Sequence, residues 1–296
     1  MKHKVLVLCG GGIYGAISAK LLSYLKYDFM RDVDTIAGTS IGGVQSCCYA
    51  SGATGEEILE AFINQGKNIF TKRTMAKINP LSIPTYSNDN LKLMLEKFTY
   101  GKTIKDIRQV YPNLNFVVPT INLTQDKPKV FDNISDQDKD VSLTDVGLMT
   151  SSAPTYFPGI KFENNCMIDG GLYDVTGLIS GVTCLKGKAN IDFSEMDVLM
   201  IGTGDNYKRK PISYEDYTGY NIIQILTNLV VPYITMASEK AAEYWGNNMG
   251  FNSFKYYNPI QNKGKLDNAD EMKILFEDCD MFEKDFIKTW SDFIDN

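Results

Sequence analysis

The chain has 296 residues, of which 44% are hydrophobic and 22% are charged, as in ordinary folded proteins large enough to bury a sizeable core. Its formal net charge of −6 argues against a nucleic acid polymer as its main partner. No apolar run approaches the roughly 18 residues of a membrane span, and none resembles a secretory leader, so we expect a cytoplasmic protein.

Six cysteines and a single histidine, His3, limit the redox and metal chemistry open to the chain. The cysteine spacing matches neither a disulfide framework nor a zinc site, which predicts reduced thiols. We expect no metal and no organic cofactor. The cysteines are Cys9, Cys47, Cys48, Cys166, Cys184 and Cys279.

Predicted strands and helices alternate along the first part of the chain. Residues 4–9 form an apolar run typical of a buried parallel strand, and residues 15–25 carry leucines and isoleucines at helical spacing. Residues 33–38 predict a second strand, and the helix after it should end near Gly52. This alternation predicts an α/β fold built on a βαβ sheet.

The middle of the chain continues the alternation. Pro119 cannot donate a backbone hydrogen bond, so its strand should be an edge strand or a bulged one. The predicted elements are a helix opened by a Thr54–Glu57 capping box and reaching Phe62, a helix over 87–98, strands over 116–123 and 129–132, a short helix capped at Ser142, and a strand over 198–201.

The C-terminal part, about residues 215–296, is predicted to be helical. Residues 222–245 predict one or two helices interrupted at Pro232, and Lys208 to Lys210 predict a solvated basic loop. An aromatic stripe at helical spacing favours core packing, the alternative being a face that docks on lipid or a partner. Its members are Phe282, Phe286, Trp290 and Phe293.

A G-x-S-x-G run, Gly38 to Gly42, lies between the second predicted strand and its helix. That context is typical of a nucleophile held on a strained turn, with Gly38 and Gly42 relieving clashes around Ser40. A serine hydroxyl needs a base within hydrogen-bond reach, and no histidine follows Ser40. A carboxylate is therefore the expected base, since His3 precedes the first strand and should lie at the opposite edge of the sheet.

The loop from Gly10 to Gly15 follows the first strand and opens a helix. Its backbone N–H groups can stabilise an oxyanion during acyl transfer. The same residues satisfy the G-x-G-x-x-G pattern of a dinucleotide site, which leaves an oxidoreductase as one alternative. The acid that such a site requires should end the second strand, whereas Asp32 and Asp34 precede or begin it.

The run Asp169-Gly170-Gly171 supplies the carboxylate best placed to act as the base. An Asp-Gly-Gly run alone predicts only a turn, but the serine elbow without a later histidine gives it a second interpretation. The two glycines would let the backbone turn sharply and keep the carboxylate accessible.

Taken in order, these motifs resemble the patatin-like phospholipase family. The resemblance includes residues 10–15, the serine elbow and the Asp-Gly-Gly run, and extends to residues 150–158 and 201–204. It covers about residues 4–205 of a single predicted domain over 1–296. It implies a three-layer α/β/α sandwich with a mostly parallel central sheet and a helical C-terminal extension.

The resemblance implies a serine–aspartate dyad that hydrolyses acyl esters of membrane phospholipids at the membrane surface. Ser40 would be the nucleophile, Asp169 the general base, and the backbone of Gly11, Gly12 and Ile13 the oxyanion hole. The supporting glycines would be Gly10, Gly15, Gly38, Gly42, Gly170 and Gly171.

Two departures from the family pattern affect the loops. Tyr14 replaces a residue that is often basic, and residues 174–177 replace asparagines and a proline that could brace the catalytic loop. They leave open a non-catalytic lipid-binding or storage protein. Some bacterial members of the family are antiphage effectors activated by a cyclic nucleotide, so we expect that the C-terminal part could hold such a ligand or a homo-oligomer contact.

Overall fold

A computed structural model describes residues 2–73, 84–204, 231–260 and 272–296. The predicted basic loop at 208–210 and the first part of the predicted helix over 222–245 lie outside these ranges. The described strands are β1 (His3–Leu8), β2 (Thr35–Gly38), β3 (Asn115–Asn122), β4 (Lys127–Asp132), β5 (Ile160–Phe162), β6 (Asn165–Asp169), β7 (Met196–Ile201) and β8 (Ser253–Tyr257).

Helices separate and follow these strands. None of the described ones has the length and hydropathy needed to cross a bilayer. They are α1 (Gly15–Ser23), α2 (Ile41–Ala50), α3 (Gly55–Ile69), α4 (Asp89–Thr99), α5 (Ile107–Val110), α6 (Leu143–Thr150), α7 (Leu178–Cys184), α8 (Val231–Asn248), α9 (Met272–Asp280) and α10 (Glu283–Asp295).

The strands form one mixed sheet in the order β5-β6-β3-β2-β1-β7-β8, with β4 also paired to β3. The five neighbouring strands β3, β2, β1, β7 and β8 are parallel to one another. The pairs β3–β4, β3–β6 and β5–β6 are antiparallel. The predicted α/β class with a mostly parallel centre is confirmed. Parallel strands place their carboxyl ends at one edge, and both the glycine loop and the serine elbow lie there.

Alternate residues of the central strands enter two separate hydrophobic clusters. In β1, Leu6 and Leu8 pack with α1, α2 and α10, whereas Val5 and Val7 pack with α7. Both faces of the sheet are therefore covered by helices, which gives the three layers. This double burial explains why the strand reads as a continuous apolar run rather than an alternating one.

Local capping signals place several helix ends where the sequence predicts them. Thr54 and Glu57 form the capping box of α3, which runs on to Ile69, and the hydroxyl of Ser142 accepts backbone N–H groups at the start of α6. Helix α2 ends at Ala50, and Gly52 follows it with φ of 101°. These ends are set by side-chain hydrogen bonds and backbone conformation within a few residues, which a sequence shows directly.

Two predictions about strands are wrong. Strand β3 is internal, because β2 pairs with it as far as Val117 and β6 pairs along the same side from Thr120. Pro119 occupies the gap between these pairings, where a missing N–H breaks no ladder bond. The C-terminal part is not purely helical, because β8 pairs parallel with β7, and such a short aromatic strand depends on that distant partner.

The aromatic stripe of α10 packs in the core, as predicted. Phe286, Trp290 and Phe293 are buried, and the Trp290 ring meets Phe29 edge to face at 5.6 Å between centroids. The described part of the predicted helix over 222–245 is one continuous helix from Val231 to Asn248, with Pro232 at its second residue.

Candidate active site

Ser40 lies on a sharp turn between β2 and α2, with φ of 54° and ψ of −124°. That conformation is strained for any residue other than glycine. A Cβ on Gly42 would collide with the carbonyl of Leu8, and one on Gly38 would lie 2.5 Å from the Gly42 carbonyl. The two motif glycines therefore let β1, β2 and α2 approach closely while Ser40 remains half-buried and accessible.

A threonine at the end of α6 holds the backbone of this turn. The N–H of Ser40 donates to Oγ1 of Thr150 at 3.1 Å, and that hydroxyl donates to the carbonyl of Pro119 at 2.8 Å. Thr150 is fully buried. The strained turn is thus anchored to β3 at the proline that interrupts the pairing on one side of that strand.

Strand β6 brings Asp169 directly to Ser40. The serine hydroxyl donates to Oδ2 of Asp169 at 2.7 Å, and the N–H of Gly171 donates to Oδ1 at 2.6 Å. The backbone N–H of Asp169 donates to the carbonyl of Ser152 at 3.1 Å. Both carboxylate oxygens are therefore engaged, and the one nearer Ser40 points at the hydroxyl.

The surroundings of Asp169 make its carboxylate more basic than an exposed one. The residue is 4% exposed, and burial raises the pKa of Asp169 from 3.8 to about 6, although the hydrogen bonds from Ser40 and Gly171 oppose the rise. At neutral pH the group is still mostly ionised. It can accept a proton there and holds it more readily than an ordinary aspartate would.

The glycine loop lies beside Ser40 at the end of β1. A Cβ on Gly10 would be 3.2 Å from the Cβ of Ser40, which shows how closely the loop approaches the hydroxyl. Within the described ranges, no acceptor meets the backbone N–H groups of Gly11, Gly12 or Ile13. These three residues line the same cavity as Ser40 and Asp169, so their N–H groups are available to a ligand there.

One backbone carbonyl and one side chain from distant segments hold this loop in place. The N–H of Gly10 donates to the carbonyl of Val175 at 2.8 Å, and its carbonyl accepts the Thr203 hydroxyl at 2.9 Å. Tyr14, which departs from the family pattern, is fully buried behind the loop. The loop is thereby fixed both to the segment after Asp169 and to the end of β7.

The segment after Asp169 has its own brace, although it lacks the asparagines and proline of the family pattern. The buried carboxylate of Asp174 accepts the Thr176 hydroxyl at 3.0 Å and the N–H groups of Gly177 and Ser180 at 2.9 and 2.7 Å. These bonds cap the start of α7. Asp174 therefore supports this loop where the family pattern has asparagines and a proline.

A cavity of about 310 Å³ opens over Ser40 and Asp169. Its floor contains the glycine loop, and its far walls are aromatic and aliphatic side chains from α3, α4 and the segment 153–157. Such a shape suits a long apolar group whose polar end faces the serine. The principal apolar wall residues are Phe62, Phe70, Leu91, Tyr156 and Phe157.

The groups that a histidine base or a dinucleotide site would require lie far from this cavity. His3 begins β1, and its Nε2 is 2.7 Å from Oγ1 of Thr35, at the edge of the sheet opposite Ser40. Asp34 accepts the Lys4 N–H at that same edge, so it cannot end β2 as a dinucleotide site requires. Across the described ranges, no cluster of three or more acidic, histidine or cysteine side chains suits a metal ion.

Sequence reasoning missed three residues that hold the site together, Thr150, Val175 and Thr203. Thr150 and Thr203 fall within segments that carry the family resemblance, so a signal existed, but it assigned them no contact. Val175 acts through its carbonyl oxygen, and a backbone atom has no signature in a sequence.

Comparisons with known proteins identify the family of the chain. The sequence profile of the patatin-like phospholipase family matches residues 6–180. A cGAMP-activated phospholipase of Escherichia coli is 28% identical over 73% of this chain and 67% of its own length. One from Pseudomonas aeruginosa is 28% identical over 57% and 53%, so this chain spans about half to two thirds of these relatives.

A crystal structure of VipD from Legionella pneumophila superposes on 94% of this chain and 67% of its own, with a TM-score of 0.47 and 14% identity. The family profile covers more than half of the chain and contains the glycine loop, the serine elbow and Asp169. The chain belongs to the patatin-like phospholipase family.

Proposed function

We propose that the chain hydrolyses fatty-acyl esters of membrane phospholipids, with Ser40 as nucleophile and Asp169 as general base. The observation that carries the proposal is the 2.7 Å hydrogen bond from the Ser40 hydroxyl to the Asp169 carboxylate. Direct contact of this kind allows the proton to leave as the oxygen attacks. The products of the first step are an alcohol, which is a lysophospholipid for a phospholipid substrate, and an acyl ester on Ser40.

The same aspartate then completes the turnover. Asp169 returns its proton to the leaving alcohol and afterwards takes one from water, whose oxygen attacks the acyl-enzyme. As the second tetrahedral intermediate collapses, that proton passes to Oγ of Ser40, the fatty acid leaves and the free serine is restored. The raised pKa of Asp169, about 6, supports both directions of proton transfer near neutral pH. This route uses only the side chains of Ser40 and Asp169.

The oxyanion of each tetrahedral intermediate would lie against the glycine loop. Gly11, Gly12 and Ile13 line the cavity beside Ser40, and their N–H groups have no acceptors of their own in the described ranges. Fixed donors of this kind stabilise developing charge without reorganising, and one donor is commonly worth about 3 kcal/mol. The apolar cavity walls would receive the acyl chain.

The names of the two bacterial relatives support a further part of the proposal, activation by a cyclic dinucleotide. Held inactive until such a ligand binds, the enzyme would not degrade the membranes of its own cell. The activated enzyme would use the same dyad. The activator should therefore change the rate of turnover and leave Ser40 as the residue that carries the acyl group.

The test is hydrolysis of phosphatidylcholine vesicles by the wild type, Ser40→Ala and Asp169→Asn, with and without cGAMP. We expect fatty acid release by the wild type and loss of at least about a thousandfold in each variant. A fluorophosphonate probe, followed by peptide mass spectrometry, should label Ser40 and no other residue.

The two parts of the proposal fail separately. Wild-type rates in either variant, or labelling at another residue, would overturn the dyad. Hydrolysis that cGAMP leaves unchanged would overturn the activator and leave the hydrolase standing. Vesicle binding without turnover in all conditions would instead favour the non-catalytic lipid-binding alternative.

A further inference from the structure

Helix α8 is amphipathic in the reverse sense of an ordinary surface helix. The positions that pack towards β8 are small or polar, while the large aromatic side chains of the helix are exposed, although a surface helix normally buries its apolar side. The buried positions are Thr235, Glu239, Ala242 and Gly246. Lys240, Asn247 and Asn248 are exposed as well, and the exposed apolar positions, the α8 apolar face hereafter, are Tyr233, Ile234, Ala237, Ala241, Tyr244 and Trp245.

Contacts with β8 fix which side of α8 faces the protein. The Tyr256 hydroxyl donates to Oε2 of Glu239 at 3.2 Å, and a Cβ on Gly246 would collide with the Phe254 ring. The helix therefore lies close against β8 and cannot rotate its large side chains inward. The exposure of the α8 apolar face follows from the packing of its opposite side.

Three of the exposed side chains on this face are large and aromatic. Tyr233, Tyr244 and Trp245 are 58%, 64% and 54% exposed. Tyr233 and Tyr244 are eleven positions apart, close to three helical turns, so they lie on the same side about 16 Å apart along the axis. Exposed aromatic side chains grouped along one side of a helix in this way mark an interaction site rather than scattered surface residues.

The α8 apolar face begins at the mouth of the active-site cavity. Ile234 and Thr235, at the start of the helix, line that cavity together with Ser40. Leu172 also lines it and is 54% exposed, and its neighbour Tyr173 is 52% exposed. Exposed apolar side chains from two separate segments thus rim the mouth, and on α8 they continue outward from it.

We propose that the α8 apolar face, with Leu172 and Tyr173, docks the active-site mouth on a phospholipid bilayer. A bilayer suits this surface because it is continuous with an apolar cavity, and because tyrosine and tryptophan favour the boundary between headgroups and acyl chains. The choice of lipid as the partner rests on the proposed function. Docked in this way, the acyl chain of a lipid could enter the cavity without crossing water.

The binding should depend on apolar contact more than on charge. The lysine of this helix surface, Lys240, pairs with Glu243 at 2.9 Å, and the net charge of the chain is −6. Attraction to anionic lipid therefore contributes little, and binding to neutral phosphatidylcholine should persist at high salt.

The two tryptophans provide a direct test. Trp245 belongs to the α8 apolar face, whereas Trp290 is 3% exposed in the core. On adding phosphatidylcholine vesicles to the full chain carrying Ser40→Ala, we expect a blue shift in tryptophan emission and quenching by brominated acyl chains. A further Trp245→Phe change should abolish both responses, and Trp290→Phe should retain them.

A second measurement uses substitutions at exposed positions only. Tyr244→Gln with Trp245→Gln should lower vesicle sedimentation at least about tenfold, since two interfacial anchors are lost. The matched control, Leu93→Gln with Tyr100→Gln, changes side chains 63% and 61% exposed on and just after α4, and should bind as the wild type does. Turnover of a soluble short-chain ester should be unchanged in both, measured with Ser40 intact.

Each outcome decides the proposal. Unchanged vesicle binding in the α8 variant, or equal loss in the control, would overturn it. If light scattering shows that the wild type is an oligomer and only the α8 variant is a monomer, with vesicle binding intact, the face is instead a contact between copies. Binding without any ester turnover by the wild type would leave the docking surface supported and the proposed function refuted.

Discussion

The N–H of Gly10 and the carbonyl of Val175 are joined by a 2.8 Å hydrogen bond. Gly10 opens the loop that offers N–H groups to the cavity, and Val175 lies in the segment that follows Asp169. The bond therefore couples the proposed oxyanion donors to the proposed base across the mouth of the site. Their spacing around Ser40 depends on this contact, because the two segments leave different strands.

Gly10→Ala should disturb that spacing. The new methyl group would lie 3.0 Å from the Val175 carbonyl and 3.3 Å from that of Thr39, neither of which is a flexible side-chain end. We expect ester turnover to fall about 10- to 100-fold, because displacing catalytic groups by about 1 Å has such effects. The free energy of unfolding should fall by about 1–3 kcal/mol.

The matched control for this substitution is Gly187→Ala. A Cβ there would meet no atom within 4 Å, so both turnover and urea midpoint should stay at the wild-type values. Wild-type turnover in Gly10→Ala would contradict the proposed coupling between the two loops.

Thr150→Val should remove the hydrogen bonds that support the Ser40 turn while keeping the side-chain volume at position 150. Valine keeps the volume but leaves the Ser40 N–H without its acceptor and the Pro119 carbonyl without its donor, at a cost of about 1–3 kcal/mol in the free energy of unfolding. The strained φ of Ser40 depends on this support. Fluorophosphonate labelling of Ser40 should slow by about tenfold or more.

Thr150→Ser distinguishes a positioning role from simple packing. Serine restores the hydroxyl but loses a buried methyl group, so the variant should recover the labelling rate even if its stability remains low. Slow labelling in both variants would show that the methyl group, rather than the hydroxyl, matters at this position.

Much of the central fold could be predicted from the sequence because its signals are local. The run Val5 to Leu8 is apolar throughout since both faces of β1 are covered, and the capping residues Thr54 and Ser142 act on N–H groups within three positions. Strand β8 and the internal place of Pro119 depend on pairing with distant strands. No short window of sequence contains that information.

The candidate site likewise has residues that the sequence indicates and residues that depend on distant contacts. Ser40, Asp169 and the glycine loop could be predicted because the absence of a later histidine left the elbow in need of a carboxylate, and the structure brings these groups together. Their supports were not predictable in the same way. The Val175 carbonyl acts through the backbone, and Asp174 braces its loop where the family pattern has other residues.

The pH dependence of turnover should report the pKa of Asp169. The carboxylate accepts a proton only when ionised, and burial raises its pKa to about 6. We therefore expect kcat/KM for a soluble ester to fall about tenfold per pH unit below pH 6 and to level off above it. Stopped assays over pH 4.5–8 would measure this, after confirming that the protein stays folded.

The control for this profile is His3→Gln. His3 is the one histidine in the chain and could be mistaken for the titrating group, but it contacts Thr35 at the opposite edge of the sheet. Burial also lowers the pKa of His3 below its usual value. The inflection should stay in place in this variant, and its loss would assign it to His3 rather than Asp169.

Asp169→Asn should make the protein more stable at alkaline pH while inactivating it. Because burial raises the pKa of Asp169 from 3.8 to about 6, the folded state holds its proton more tightly than the unfolded state does. The resulting stability is fully present below about pH 4 and is lost as pH rises through about 6. Two pKa units correspond to at most about 3 kcal/mol, and asparagine, always neutral, avoids this loss.

Urea unfolding of wild type and Asp169→Asn at pH 4, 6 and 8 would measure the effect. The variant should have the higher free energy of unfolding at pH 8, with a difference that shrinks towards zero at pH 4. Asp174→Asn is a suitable control with the opposite sign, since losing a carboxylate that accepts three hydrogen bonds should destabilise by about 1–3 kcal/mol at pH 8. If Asp169→Asn is less stable than the wild type at pH 8, the hydrogen bonds from Ser40 and Gly171 stabilise the folded protein by more than burial of the Asp169 charge destabilises it. The ionised carboxylate would then not lower the free energy of unfolding.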